Sequence, residues 1–300
     1  MIYRESHLEF QDDPALPARG RFLIVGDVHG QMAMVMRLVR ATGYDPFKDR
    51  MIALGDLVDR GPAPAEALRW FAGGTMRTSL LGNHEALLLD SEFVREAHKV
   101  WLHNGGTWSE THDPFDLNLL RRLVIGFPLT IRLTLADGRR IGLVHAEVRP
   151  GTSWKQLQRS RYDIGDAIHD WSDTSVASLI WGRQRYFCYR HLTKLPPPEA
   201  IDADARARIA LLLRPVPGVD LVIGGHTVIP TREPVRFGAH LFIDTGAYQA
   251  PDGRLTAVDP DAGVYWQVGH RDDQQWGPLP LPAPFESSLP RHLRPRRSPR

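Results

Sequence analysis

From residue 21 onward the chain repeats one pattern: a short apolar run, a glycine-rich polar turn, then apolar positions at helical spacing. RFLIV (21–25) reads as a strand and GDVHG (26–30) as the turn after it, and Met34, Val35, Leu38 and Val39 then mark one face of a helix. MIAL (51–54) leads into GDLVDRG (55–61) and a helix opened by Pro62 or Pro64. SLL (79–81) leads into GNHE (82–85) and a helix running through ALLLDSEFVREA, while WLHNGG (101–106) reads as a loop. Further strands are expected at 139–144, 219–223 and 240–244, with one or two more in 254–268, and a helix at 203–213 after the breaker PPP (196–198). Strands and helices alternate early and strands dominate late, which predicts an α/β fold with two packed sheets in one domain over 21–270. Residues 1–20 read as a polar lead-in and 271–300, Pro-rich and then Arg-rich, as a disordered tail.

Composition narrows the chemistry. Thirteen histidines accompany a single cysteine, Cys188, which excludes a disulfide framework and any cysteine-based zinc cluster. A metal site here must therefore use His, Asp, Glu or Asn. The formal charge of +2 is unevenly spread: RHLRPRRSPR at the end holds five Arg and no acid, and without it the balance is −3. A mildly acidic body argues against a general nucleic-acid binder, so any contact with RNA or acidic partners is left to the tail. No segment approaches the roughly 18 uninterrupted apolar residues of a membrane helix. The opening MIYRESHLEFQDD lacks the apolar core of a signal peptide, so the expected compartment is the cytoplasm.

The polar residues of interest sit where strands are expected to end, the place at which open α/β sheets gather ligands. Five such ends carry Asp27 with His29, Asp56, Asn83 with His84, His145, and His226. All offer nitrogen or oxygen donors, which suit Mn, Fe or Zn. A carboxylate can bridge two ions, and ions about 3.5–4 Å apart can activate a shared hydroxide for in-line displacement at phosphorus.

GDVHG, GDLVDRG and GNHE, with Asp27, Asp56 and Asn83 spaced by 29 and 27 residues, resemble the calcineurin-like metallophosphoesterase signature. The DRG and NHE forms resemble its phosphoprotein phosphatase branch. WLHNGG, LVHAE (143–147), IWGRQR (180–185), GGHT and IDTGA (243–247) are similar to the compact bacterial and phage lambda type. The resemblance covers about residues 21–258 and implies a four-layer α/β/β/α sandwich with two packed mixed sheets. It further implies two divalent ions, Mn first with Fe, Zn or Ni as alternatives: Asp27 and His29 on the first, Asp56 bridging, and Asn83, His145 and His226 on the second. His84 resembles the general acid, Asp59 the carboxylate that orients it, and Arg60 and Arg183 the phosphate clamp. The implied activity is dephosphorylation of serine and threonine in phosphoproteins or of a small phosphorylated substrate. Hydrolysis of symmetrical diadenosine tetraphosphate, or of another nucleotide or RNA phosphoester, stays open as the alternative. That related family tends to lack the Asp of DRG and to end its third motif in Asp; Asp59 and Glu85 favour the phosphatase. Two positions depart from the family pattern: Glu147, where many members have Gly, and Gly182, where a polar residue commonly precedes the arginine. The stretch 185–216 is longer than in the phage type and is expected to form a lid or groove wall.

Overall fold

The computed structural model describes residues 7–11, 20–168, 175–193 and 203–285. In chain order, β1 (His7–Gln11) and β2 (Phe22–Val25) precede α1 (Met32–Thr42), β3 (Arg50–Ala53) precedes α2 (Pro64–Ala72), and β4 (Arg77–Ser79) precedes α3 (Asn83–Asp90). Next come α4 (Arg95–His103), a 3-10 segment (Gly106–Thr111), α5 (Pro114–Val124), and the strands β5 (Thr130–Thr134) and β6 (Arg140–Val144). Four helices follow: α6 (Trp154–Leu157), α7 (Ser175–Trp181), α8 (Gln184–Leu192) and α9 (Ala203–Leu212). The described chain closes with β7 (Leu221–Gly224), β8 (Val235–Phe237), β9 (His240–Phe242), β10 (Leu255–Asp259), β11 (Val264–Val268) and β12 (Gln275–Pro280).

These strands form two six-stranded sheets, ordered β1-β5-β6-β7-β9-β8 and β12-β11-β10-β2-β3-β4. Both are mixed. β2, β3 and β4 run parallel in one, and β6, β7 and β9 run parallel in the other. Strand pleating sends alternate side chains to opposite faces. Phe22, Ile24, Ile52 and Leu54 thus meet Ile131, Leu143, Ile223 and Leu241 in a core between the sheets. The intervening Leu23, Val25 and Met51 pack outward with Leu38 of α1 and Leu68 and Phe71 of α2. On the other side, Tyr186 of α8 and Ile209 of α9 pack with Val235, Phe237 and Phe242. The result is the expected α/β/β/α layering.

Four expectations change. The helix expected through 86–97 is two, broken at 91–94. Every residue of α3 is buried, whereas α4 buries only Ala97 and Trp101, so the chain turns to bring that narrow face onto the core. WLHNGG is a loop only from Asn104; its first three residues are the last turn of α4. Residues 275–280, expected in a disordered tail, form β12 on the edge beside β11. An edge strand needs backbone pairing on one side only and so tolerates Pro278 and Pro280. β1, similarly, lies in the expected lead-in and pairs parallel with β5. Of both terminal segments, residues 1–6, 12–19 and 286–300 lie outside the described residues. No described helix is long and apolar enough to cross a membrane.

Because Ile24 is fully buried between the sheets, Ile24→Ala should lower unfolding free energy by about 2–5 kcal/mol. Urea denaturation of the full chain checks this.

Candidate active site

Parallel strands end on the same side of their sheet, so the turns after β2, β3 and β4 and those after β6, β7 and β9 can meet at one edge of the sandwich. They do so with little space. A Cβ on Gly225 would lie 2.1 Å from Asp27 Oδ1, and one on Gly55 would lie 2.7 Å from the Gly82 backbone and 2.9 Å from His145 Nδ1. Only glycine permits that approach. Five expected site residues take positive φ: His29 at 44°, Asp56 at 49°, Asp59 at 71°, Arg60 at 64° and His226 at 67°. Such backbone costs of order 1–3 kcal/mol per residue and persists only where its surroundings over-determine it.

Glu85 supplies much of that determination. Its carboxylate accepts the backbone N–H groups of Asp56 at 2.7 Å, Leu57 at 2.7 Å, Val58 at 3.2 Å and Gly82 at 3.0 Å. One fully buried side chain therefore fixes both the turn after β3 and the start of α3. Burial and the nearby Asp56 charge push the Glu85 carboxyl up to about 7, against these donors.

Asp56 lies at the centre. Its Oδ2 is 3.6 Å from His29 Nε2 and 3.8 Å from His84 Nε2, and its Oδ1 is 3.4 Å from His145 Nε2. Asn83 Oδ1 stands 2.9 Å from both His145 Nε2 and His226 Nδ1. Among the described residues, donor atoms of His29, Asp56 and His84, and of Asp56, His145 and His226, gather within 4.8 Å of one another, with Asp56 common to both groups. Asp27 is in the same place but faces the backbone, both its oxygens accepting His226 N–H at 3.0 Å.

The donor set calls for cations. His145 Nδ1 donates to Leu54 O at 2.8 Å, which leaves the Nε2 lone pair facing the oxygens of Asn83 and Asp56 with no donor between them. His29 Nδ1 donates to Val58 O at 2.9 Å, and its Nε2 takes a hydrogen bond from Arg60 Nη1 at 2.8 Å. His226 Nε2 is buried without a hydrogen-bond partner among the described residues. Burial holds His29 and His226 well below the ordinary histidine range and lowers His145, so all three favour the neutral, ligating form. Burial, with the charges of Asp244 and Asp56, raises Asp27 well above the carboxylate range, and burial raises Asp244 to about 6. Crowded carboxylates against bare imidazole lone pairs are the arrangement that divalent ions complete, so these residues fit a two-metal centre.

His84 differs. Burial alone would lower it, but the Asp56 charge and a 2.5 Å hydrogen bond from its Nδ1 to Asp59 Oδ2 raise it above the ordinary range. Asp59, fully buried, also accepts Trp101 Nε1 at 3.1 Å and Trp108 Nε1 at 2.6 Å. His84 Nε2 is buried without a hydrogen-bond partner among the described residues.

Above these groups opens a cleft of about 270 Å³, lined by Asp56, Arg60, Asn83, His84, Arg183 and His226 among others. The Arg60 guanidinium lies 4.6 Å from the Tyr248 ring centroid. Burial lowers Arg183, while Asp56, Asp244 and Asp27 hold it up. Phe187 and Arg190 of α8 also line the cleft, so part of the 185–216 stretch is a groove wall.

Residues 20–230 match the calcineurin-like phosphoesterase family. The chain belongs to that family. This metallophosphoesterase, a hydrolase, is 25% identical over 231 residues to serine/threonine-protein phosphatase 2 of Salmonella typhimurium, covering 75% of this chain and 87% of that one. It is 32% identical over 165 residues to a symmetrical bis(5'-nucleosyl)-tetraphosphatase of Pseudomonas fluorescens, 53% of each chain. In fold it is similar to a protein serine/threonine phosphatase from Saccharomyces cerevisiae, with TM-score 0.56, 17% identity, and coverage of 93% of this chain and 85% of that one.

The structure brings Asp27, His29, Asp56, Asp59, Arg60, Asn83, His84, His145, Arg183 and His226 to one place. Sequence reasoning missed the part played by Glu85, although GNHE contains it, and by Asp244, which ends β9 as the other site residues end theirs. Tyr248, Trp101 and Trp108 gave no signal, since their contacts arise only from packing.

Glu85→Gln turns one acceptor oxygen into a donor facing N–H groups and should destabilise the protein by about 1–3 kcal/mol. Chemical denaturation of metal-free protein measures it without interference from bound ions.

Proposed function

We propose that this metallophosphoesterase removes phosphate from phosphoserine and phosphothreonine in proteins, using two divalent ions, manganese first among them. The observation that carries the reading is the His84–Asp59 pair beside Asp56. A serine or threonine alkoxide is a poor leaving group and needs a proton, and the charges of Asp56 and Asp59 favour the protonated form of this imidazole, which lines the cleft and whose Nε2 has no hydrogen-bond partner among the described residues.

Asp27 and His29 would hold one ion, Asn83, His145 and His226 the other, with Asp56 between them. Bound there, the ions supply Lewis acidity, which acidifies water and offsets the charge of the phosphoryl oxygens. Arg60 and Arg183 offer planar guanidinium donors that match phosphate oxygens. Water adds to phosphorus in line, the ester P–O bond breaks, and His84 Nε2 gives its proton to the departing oxygen. Asp59 keeps Nδ1–H bonded through that transfer, and Trp101 and Trp108 fix Asp59.

Hydrolysis of symmetrical dinucleoside tetraphosphates is the second reading. The similarity to bis(5'-nucleosyl)-tetraphosphatases supports it, as does the half-exposed Phe187 ring on the cleft wall, a surface on which a base could stack. Comparing kcat/KM for phosphoserine, phosphothreonine and phosphotyrosine peptides, diadenosine tetraphosphate and 3′-phosphate RNA decides between them; a preference for the dinucleotide overturns the first reading.

His84→Asn should cut kcat on phosphoserine peptide by about 10²–10⁴-fold. It should cost much less on p-nitrophenyl phosphate, whose leaving group needs no proton. An equal loss on both would remove His84 from proton transfer. Asp56→Asn should lower bound manganese below the two ions per chain expected for the wild type, read by elemental analysis. Wild-type protein stripped with a chelator should regain p-nitrophenyl phosphate hydrolysis on adding Mn²⁺; no recovery would refute metal dependence.

A further inference from the structure

Glu147 follows the expected ligand His145 by two residues and is 1% exposed. Its carboxylate does not point at the metal-ligand cluster. Oε1 accepts Gln184 N–H at 2.8 Å and Oε2 accepts Arg185 N–H at 2.9 Å. These are the first two amides of α8, groups that no helix can satisfy from within. The helix begins after Arg183, whose φ of −139° and ψ of 7° are not helical and whose own side chain makes no cap. A carboxylate from a different element therefore closes the start of α8, where negative charge is also favoured by the helix dipole.

Gly182 completes the arrangement. A Cβ there would lie 2.5 Å from Glu147 Cγ and 2.5 Å from Ser178 O. The Glu147 side chain runs through the space that a residue other than glycine would occupy. The backbones are stitched on the other side as well, with Ala146 N–H on Leu179 O at 2.7 Å, Glu147 N–H on Ser178 O at 3.3 Å and Gly182 N–H on Ser178 O at 3.1 Å. The two departures from the family pattern are thus in direct contact, the Glu147 side chain and the Ser178 carbonyl together filling the space beside Gly182. Between them stands Arg183, lining the cleft, its guanidinium without a hydrogen bond or ion pair to another described residue. Its backbone is fixed on both sides while its charged end stays available to a ligand.

We propose that Glu147 is a positioning residue for Arg183. Through the backbone of residues 182–185 it holds the arginine at the phosphate-binding end of the cleft. The inference rests on the reading of Arg183 as a phosphate contact.

A double-mutant cycle on the manganese-loaded full chain tests it. Readouts are kcat and KM for p-nitrophenyl phosphate, the inhibition constant of inorganic phosphate, metal content and Tm. Arg183→Ala and Glu147→Ala should each raise KM and the phosphate inhibition constant by about ten- to a hundredfold, with metal content unchanged, the scale expected when a substrate-positioning group is displaced. The double variant should be no worse than Arg183→Ala alone, because Glu147 has nothing left to position. Glu147→Gln, which keeps one acceptor oxygen, should fall between wild type and Glu147→Ala; it also runs the cycle if the alanine variant fails to fold. Multiplicative losses in the double variant, or unchanged phosphate inhibition in both Glu147 variants, overturn the proposal. Unchanged phosphate inhibition in Arg183→Ala shows instead that the reading of Arg183 itself is wrong.

Discussion

The carboxylate of Glu85 is the contact on which the rest of the site depends. Four backbone N–H groups converge on it, three from the turn after β3 and one from the residue before α3. Those two segments carry Asp56, Asp59, Arg60, Asn83 and His84. Three of the five have positive φ, a conformation their side chains disfavour. A single buried anion bonded to both segments keeps them in register and makes the strained turn the lowest-energy choice. Its burial is tolerated because every donor it meets is a backbone amide that would otherwise be unsatisfied.

Charge then sorts three similar imidazoles into two kinds. His29 and His145 each give their Nδ1 proton to a backbone carbonyl and keep a lone pair on the Nε2 that faces Asp56, at His29 shared with a hydrogen bond from Arg60. His84 gives its Nδ1 proton to a carboxylate, Asp59, and its cationic form is favoured. Burial is nearly complete for all of them, so the partner on the far nitrogen decides the outcome. A neutral carbonyl leaves a ligand; a carboxylate leaves an acid. The same economy appears at Asp59, where two indole N–H groups and one imidazole exhaust a buried carboxylate that a slight rearrangement would leave unpaired.

Most of the fold was readable along the chain. RFLIV, MIAL, HLFID and their companions alternate inward and outward, and their β-branched and large apolar residues need two buried faces. The chain misled where local pattern and tertiary need diverge. The apolar run after GNHE looks like one helix, but a fully buried α3 cannot continue into the half-exposed α4 without a turn. The proline-rich 275–280 looks unstructured, yet an edge strand asks only for backbone pairing with β11.

By itself the sequence determined which residues could meet, because glycine-flanked Asp, His and Asn at the ends of parallel strands must lie along one edge of a sandwich. Only the tertiary structure decided what each of them faces. Whether a histidine's far nitrogen meets a carbonyl or a carboxylate, that Trp101 and Trp108 close on Asp59, and that Glu147 passes through the space beside Gly182 to cap α8 all depend on contacts between segments far apart in the chain. Those contacts are set by how the two sheets and their helices pack, and no local spacing encodes that packing.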